Sequence, residues 1–146
     1  MVLTATLPST ACAPSDGLEL AICAQQARLQ IVLTNRTSET LRVYFVAGKP
    51  NYHHHDFLTV SLNRGHATRT LRFTGNRNGS TIGLVELGAG EQIADEIDLL
   101  AWAIDPINGA TAVAPGEYAL TVSYRVAQSE AWSGEITAGP ICSIVG

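Results

Sequence analysis

Lysine and methionine are nearly missing from this 146-residue chain, which holds only Lys49 and Met1 against eight arginines. Its basic surface is therefore built from guanidinium groups, which suit bidentate contacts with carboxylate or phosphate better than ammonium does. Charged residues are also scarce at 15%, while apolar residues reach 46%. That balance excludes a disordered chain and supplies enough apolar material for a core. The net charge of -4 implies no general nucleic-acid affinity. No apolar run approaches the roughly 20 residues a membrane helix needs, so no membrane insertion is expected. The start, Met-Val-Leu-Thr-Ala-Thr-Leu-Pro, has no basic segment and no long apolar stretch, so no secretion signal is visible. Two locations stay open: the cytoplasm, or export of a mature domain whose signal was removed.

Cysteine is limited to Cys12, Cys23 and Cys142. Three thiols allow at most one intrachain disulfide, and their spacing fits no zinc motif. A Cys12–Cys23 or Cys23–Cys142 bridge would indicate an oxidising compartment. The favoured expectation is three buried, reduced thiols acting as small apolar residues.

Period-two alternation is abundant. Leu18, Leu20 and Ile22 oppose Glu19, Ala21 and Cys23; Ala27, Leu29, Ile31 and Leu33 oppose Arg28, Gln30, Val32 and Thr34. The pattern continues through Leu41–Phe45, Leu58–Leu62, the weaker Arg69–Phe73, and Tyr118–Val126. One apolar and one polar face per strand describes a sheet with a single wet side. Turn residues fall between these runs, at Asn35-Arg-Thr-Ser (hairpin spacing), Gly48-Lys-Pro-Asn, Asn63-Arg-Gly, Gly75-Asn-Arg-Asn-Gly, Gly88-Ala-Gly, Asn108-Gly and Pro115-Gly. Residues 91–104 fit a helical stripe through Ile93, Ile97, Leu100 and Ile104 as well as a strand. A strand to about residue 98, then a loop or one helical turn around Trp102, is expected. The end of the chain reads as one strand or a pair, broken at Gly139-Pro140. Strands at this short, regular spacing suggest a sandwich or barrel; the fold expected is a single all-β domain over 1–146, an immunoglobulin-like antiparallel β-sandwich of about 7–9 strands with one short helical turn near 99–104.

The order of several pieces resembles a known family. Leu29-Gln-Ile-Val-Leu-Thr-Asn-Arg-Thr precedes Leu41-Arg-Val-Tyr-Phe and Asp56-Phe-Leu-Thr-Val. Then come Leu87-Gly-Ala-Gly-Glu, Ile97-Asp-Leu and Ala114-Pro-Gly-Glu-Tyr-Ala-Leu-Thr-Val-Ser-Tyr. Over about residues 18–127 this looks like the immunoglobulin-like bacterial accessory domains, including the non-catalytic N-terminal region of deuterolysin-type metalloendopeptidases. It is less closely similar to the intracellular proteinase inhibitors of sandwich type. Those peptidases carry a His-Glu-x-x-His motif in a separate domain, and that motif does not occur here. The resemblance therefore implies an accessory role only, and it speaks to fold more than to function.

Candidate chemistry is confined to a few places. Tyr52-His53-His54-His55-Asp56 contains potential metal ligands. On a strand only His53 and His55 face together, so a three-ligand site would need His66 or a distant acid. The favoured alternative is an exposed polar loop. Arg64, Arg69, Arg72 and Arg77 are candidate binding residues with Tyr52, His54 and Asp56. Residues 49–77 hold five bases and one acid, a net of +4; residues 78–146 hold nine acids and one base, a net of -8. Such polarity can orient a partner or a second copy. Arg69 alternates in phase with Leu71 and Phe73, whereas Arg72 lies on the other face. Glu96 and Asp98 share a face, but acid–base chemistry would require one of them in an apolar pocket. Asn35-Arg-Thr and Asn78-Gly-Ser match glycosylation sequons. No Gly-x-Ser-x-Gly elbow and no phosphate loop occur. Tyr118, following Pro115-Gly-Glu, suits a hydroxyl bonded back to the backbone at a sandwich corner. Trp102 and Trp132 are structural candidates, at least one of them in the core.

The expected function is a non-enzymatic protein-binding or accessory module acting through loops or edge strands, with another protein or a copy of itself as partner and no cofactor. The alternatives are a sandwich-type protease inhibitor using loop 48–56 or 75–81, a self-assembling subunit, and a metal-dependent enzyme built on the histidine cluster.

Overall fold

A computed structural model describes residues 10–45, 57–72, 84–104, 111–127 and 131–145. The strands are β1 (Thr10–Ser15), β2 (Leu18–Gln25), β3 (Arg28–Asn35), β4 (Leu41–Tyr44), β5 (Leu58–Arg64) and β6 (Ala67–Arg72). After β7 (Leu84–Leu87) and β8 (Gln92–Asp98) comes the short helix α1 (Leu99–Ala103), then β9 (Gly116–Val126) and β10 (Gly134–Val145). Asp16 and Gly17, both with positive φ (48° and 82°), form the tight turn between β1 and β2. That backbone suits an Asp-Gly pair, because the left-handed region carries little penalty for either residue.

All pairings among the described strands are antiparallel. Strands β1-β2-β3-β8 form one sheet, β10-β9-β5-β6 a second, and β4-β7 a two-stranded third. The alternation carries through to burial. Leu18, Leu20 and Ile22 of β2, Leu29, Ile31 and Leu33 of β3, and Leu58, Val60 and Leu62 of β5 are buried. Leu120, Val122 and Tyr124 of β9 meet them in one core. Each such aliphatic side chain contributes roughly 1.5–3 kcal/mol by leaving water. The protein is an all-β antiparallel fold of sandwich-like construction, with one small helix among the described residues.

Several local expectations need correction. Ten strands are described, because β1 (Thr-Ala-Cys-Ala-Pro-Ser) and the four-residue β7 lack the apolar alternation that marks a strand in sequence. Asn35-Arg-Thr-Ser does not join a hairpin. β3 pairs with β2 and β8, whereas β4 pairs with β7. The turn instead carries the chain from one sheet to another. Tyr44 does not alternate outward but is buried together with Val43 and Phe45. Its carbonyl accepts the Tyr124 hydroxyl at 2.8 Å, and its ring stacks on Phe57 at 4.8 Å. The last segment is one strand, not a broken pair. Ala138 pairs with Val122 and Ile141 with Leu120, so Gly139 and Pro140 form a bulge. The extra residue shifts the inward phase from Ile136 and Ala138 to Ile141, Ser143 and Val145.

Asn35 explains how three segments are held at one end of the fold. Its side chain is fully buried. Oδ1 accepts from Thr37 N (2.8 Å) and Thr37 Oγ1 (2.7 Å). Nδ2 donates to the carbonyls of Glu39 (2.7 Å), Leu87 (2.9 Å) and Gly88 (3.0 Å). The Asn35 backbone also exchanges bonds with Glu91 and Gly90. An amide nitrogen committed in this way is closed to glycosylation, so the first sequon is structural; Asn78 lies outside the described residues.

The helix α1 follows directly from Asp98. That side chain accepts from Leu100 N (3.0 Å) and Ala101 N (3.3 Å), an N-cap that ends β8 and starts the turn. Leu99 and Ala103 face inward, one turn apart. Among the described residues no helix is long and apolar enough to cross a membrane.

Candidate functional site

β5 and β9 run the length of the second sheet, and their opposite ends differ. At one end Tyr124 sits opposite Leu58; at the other, Arg64 closes β5 where Tyr118 opens the inner face of β9. Arg64 Nη1 donates to the Pro115 carbonyl at 2.8 Å, and its guanidinium lies 5.7 Å from the Tyr118 ring centroid. This approach requires glycine at 116, since a Cβ there would come within 2.6 Å of Arg64 Nη1. The Tyr118 hydroxyl donates to the Ala114 carbonyl at 2.6 Å, tying the incoming loop to the strand.

Arg69 occupies the inner face of β6, opposite Leu62. Its Nη2 donates to the Ala103 carbonyl at the C-terminal end of α1 at 2.8 Å. Between Arg64, Arg69 and Tyr118 lies a cavity of about 300 Å³. Leu62, Ala67, Val113 and Ala114 supply its apolar wall and Thr68 a hydroxyl. Among the described residues that line it there is no His, Cys, Asp or Glu. Two guanidinium groups over an apolar floor suit a carboxylate, the anion with which guanidinium makes charge-assisted hydrogen bonds. Among the described residues that line it, none pairs a nucleophile with an adjacent base.

A wider trough of about 410 Å³ crosses the outer face of β1, β2 and β3. Its lining includes Cys12, Ala21, Cys23, Gln30 and Val32, and no charged side chain. All three cysteines are free thiols, but the expectation that they are buried does not hold: Cys12 is exposed, and Cys23 and Cys142 are half-buried. Each belongs to a strand's outer face, where a small residue suffices. A hydrogen bond to Glu19 raises the Cys12 thiol above its ordinary pKa. Glu117, whose Oε1 accepts from Cys142 Sγ at 2.8 Å, does the same for Cys142. Both carboxylates favour the thiol over the thiolate, the opposite of an activated nucleophile.

The other sequence candidates disperse. Tyr52, His53, His54, His55, Asp56 and Arg77 lie outside the described residues. His66 is exposed in the Gly65–His66 turn between β5 and β6. Among the described residues no three His, Cys, Asp or Glu side chains group to hold a metal. Arg72 is exposed, on the face opposite Arg69. Glu96 pairs with Arg28 at 2.7 Å, and Asp98 caps α1, so these carboxylates share a face without sharing an apolar pocket. Trp102 is half-buried on α1. Trp132 is buried at the far end, beside Tyr124 (5.8 Å), with Nε1 donating to the Asp16 carbonyl at 3.3 Å. Sequence reasoning missed Gly116 and the Ala112–Ala114 wall; the available signal was the Pro115-Gly pair, read only as a corner.

No protein family, no curated protein and no solved structure matches this chain.

Proposed function

We propose that this chain is a non-enzymatic protein-binding or accessory module, and that the end of the sandwich holding Arg64, Arg69 and Tyr118 receives a carboxylate-bearing segment of a partner protein. The observation that carries the reading is the 300 Å³ cavity with two guanidinium groups at its rim and an apolar floor. The antiparallel sandwich-like layering and the Tyr118 corner bond support an immunoglobulin-like kinship with accessory domains as part of the same proposal. Contact through this end is favoured over strand addition at β6 or β8. Edge strands β6 and β8 place Arg69 and Asp95 at inward-facing positions, opposite Leu62 and Ile31, and inward charges discourage edge pairing.

The test is an array of acidic peptides with free or amidated C-termini, probed with wild type, Arg64→Ala and Arg64→Lys. Wild type should retain carboxylate-bearing peptides. Arg64→Ala should bind roughly tenfold more weakly, the loss expected for one charge-assisted contact. Lysine should restore only part of it. Indifference to both the peptide carboxylates and the Arg64 substitutions would overturn the proposal.

A further inference from the structure

The cavity at the Tyr118 end joins two chemistries in a small space. Its volume of about 300 Å³ sits at the low end of ligand sites, close to the room one large residue needs. Leu62, Val113 and Tyr118 make a buried, largely apolar floor. Arg64, Ala67 and Thr68 stand exposed at the mouth. The Arg64 guanidinium is held there before any ligand arrives, by its bond to the Pro115 carbonyl and its place beside the Tyr118 ring. Such pre-positioning lowers the ordering cost of binding.

A ligand matched to this space brings a carboxylate and an apolar body within the bulk of one residue. Asp or Glu inside a chain carries its carboxylate on one or two methylenes and leaves the floor bare. An acidic residue with an apolar neighbour covers both, but two side chains exceed the space. A chain-terminal residue meets both demands, because its α-carboxylate and its side chain share one Cα. Its backbone also continues in one direction only, outward through the mouth.

We infer that the cavity takes the C-terminal residue of a partner protein, with the α-carboxylate on Arg64 and a large aliphatic or aromatic side chain on Leu62, Val113 and Tyr118. The inference rests on the carboxylate-binding reading of this end and narrows it from any carboxylate to a terminal one. A Leu end should bind roughly tenfold more tightly than a Gly end, from the apolar surface it removes from water. Amidating that end should weaken binding about tenfold, since the charge-assisted contact is lost.

Fluorescence anisotropy on the whole chain, titrated to about 1 mM so that weak binding is populated, tests this. The probes are N-terminally labelled peptides with a common Gly-Ser-Gly-Ser-Gly body. One ends in Leu as the free acid, one in the Leu amide and one in Gly as the free acid. A fourth has an internal Glu and an amidated end. The Leu acid should bind best, with the other three each about tenfold weaker. Ala67→Leu narrows the mouth, and should abolish the preference for Leu over Gly ends while keeping that for acid over amide. Thermal melts show that the variant is folded, and the wild-type series stands without it. An internal-Glu peptide that matched the Leu acid, or equal binding of Leu and Gly acids, would overturn the inference and leave the broader carboxylate reading intact. Competition by 4-methylpentanoate as strong as that of the Leu peptide would overturn it in favour of a free small acid. Indifference of every probe to its carboxylate would overturn both readings together.

Discussion

Tyr118 and Tyr124 lie six residues apart on the same inner face of β9, and each hydroxyl donates to a backbone carbonyl, yet they sit at opposite ends of the fold. At the Tyr124 end the space is filled. Tyr44, Phe57, Tyr124 and Trp132 pack in succession, and the buried Asn35 bonds three segments together. At the Tyr118 end the corresponding space is a cavity rimmed by arginines. One end is filled by aromatic packing and buried bonds; the other leaves a cavity beside two arginines, each bonded to a backbone carbonyl. The difference teaches that the same two strands can end in a packed, internally bonded end and an open one, and the proposed recognition falls at the open end.

Substitutions should break that comparison unevenly. Asn35→Ala leaves the polar groups it satisfied without their buried partner, and a loss of about 3 kcal/mol or more is expected in denaturant unfolding. Tyr124→Phe removes one buried bond and should cost about 1–2 kcal/mol. It should also change the alkaline behaviour. Burial pushes the Tyr124 hydroxyl well above its ordinary pKa of 10.0. The neutral form is therefore favoured in the folded state, and stability present below pH 10 is lost as pH rises further. Urea melts from pH 9 to 11 should show a smaller decline for Tyr124→Phe than for wild type. Tyr118→Phe, at the open end, should cost only about 1 kcal/mol, since the hydroxyl there fastens one loop. If Tyr118→Phe proved as costly as Asn35→Ala, the two ends would not divide their labour as described.

The smallest effect concerns Glu19. Hydrogen bonds from Cys12 and then Arg36 hold its carboxyl below the ordinary 4.5. A lowered carboxylate stabilises the fold above its unfolded pKa, and that contribution fades as pH falls below 4.5. Glu19→Gln should therefore lose less than about 1 kcal/mol at pH 7, and the gap to wild type should close in acid. A gap that persisted at pH 3 would mean the side chain acts through packing instead of charge.

Much of the fold was legible because alternation is a local property. The inward sets of β2, β3, β5 and β9 follow from every second residue, and the Asp98 cap stands where the strand pattern gives way to α1. What was not legible depended on distant partners. Tyr44 breaks alternation only because Tyr124 and Phe57 close over it, eighty and thirteen residues away. Asn35 reads as a turn residue until the carbonyls of Leu87 and Gly88 come alongside. At the candidate site, the parity of Arg69 with Leu71 was readable, whereas the meeting of Arg64 with Tyr118 and Gly116 depends on how β5 and β9 pair. The arginine group read in sequence therefore divides, with Arg64 and Arg69 at the cavity and Arg72 on the opposite face.

The central claim is that recognition belongs to the open end alone. Backbone amide shifts of the labelled protein, titrated with a short Asp/Glu-rich peptide bearing a free C-terminus, test it most directly. Perturbations should gather at Arg64, Thr68, Arg69, Val113 and Tyr118, leave Asn35, Tyr44 and Tyr124 unmoved, and fall away in Arg64→Ala. Shifts centred on the aromatic end, or spread evenly over both, would contradict the account.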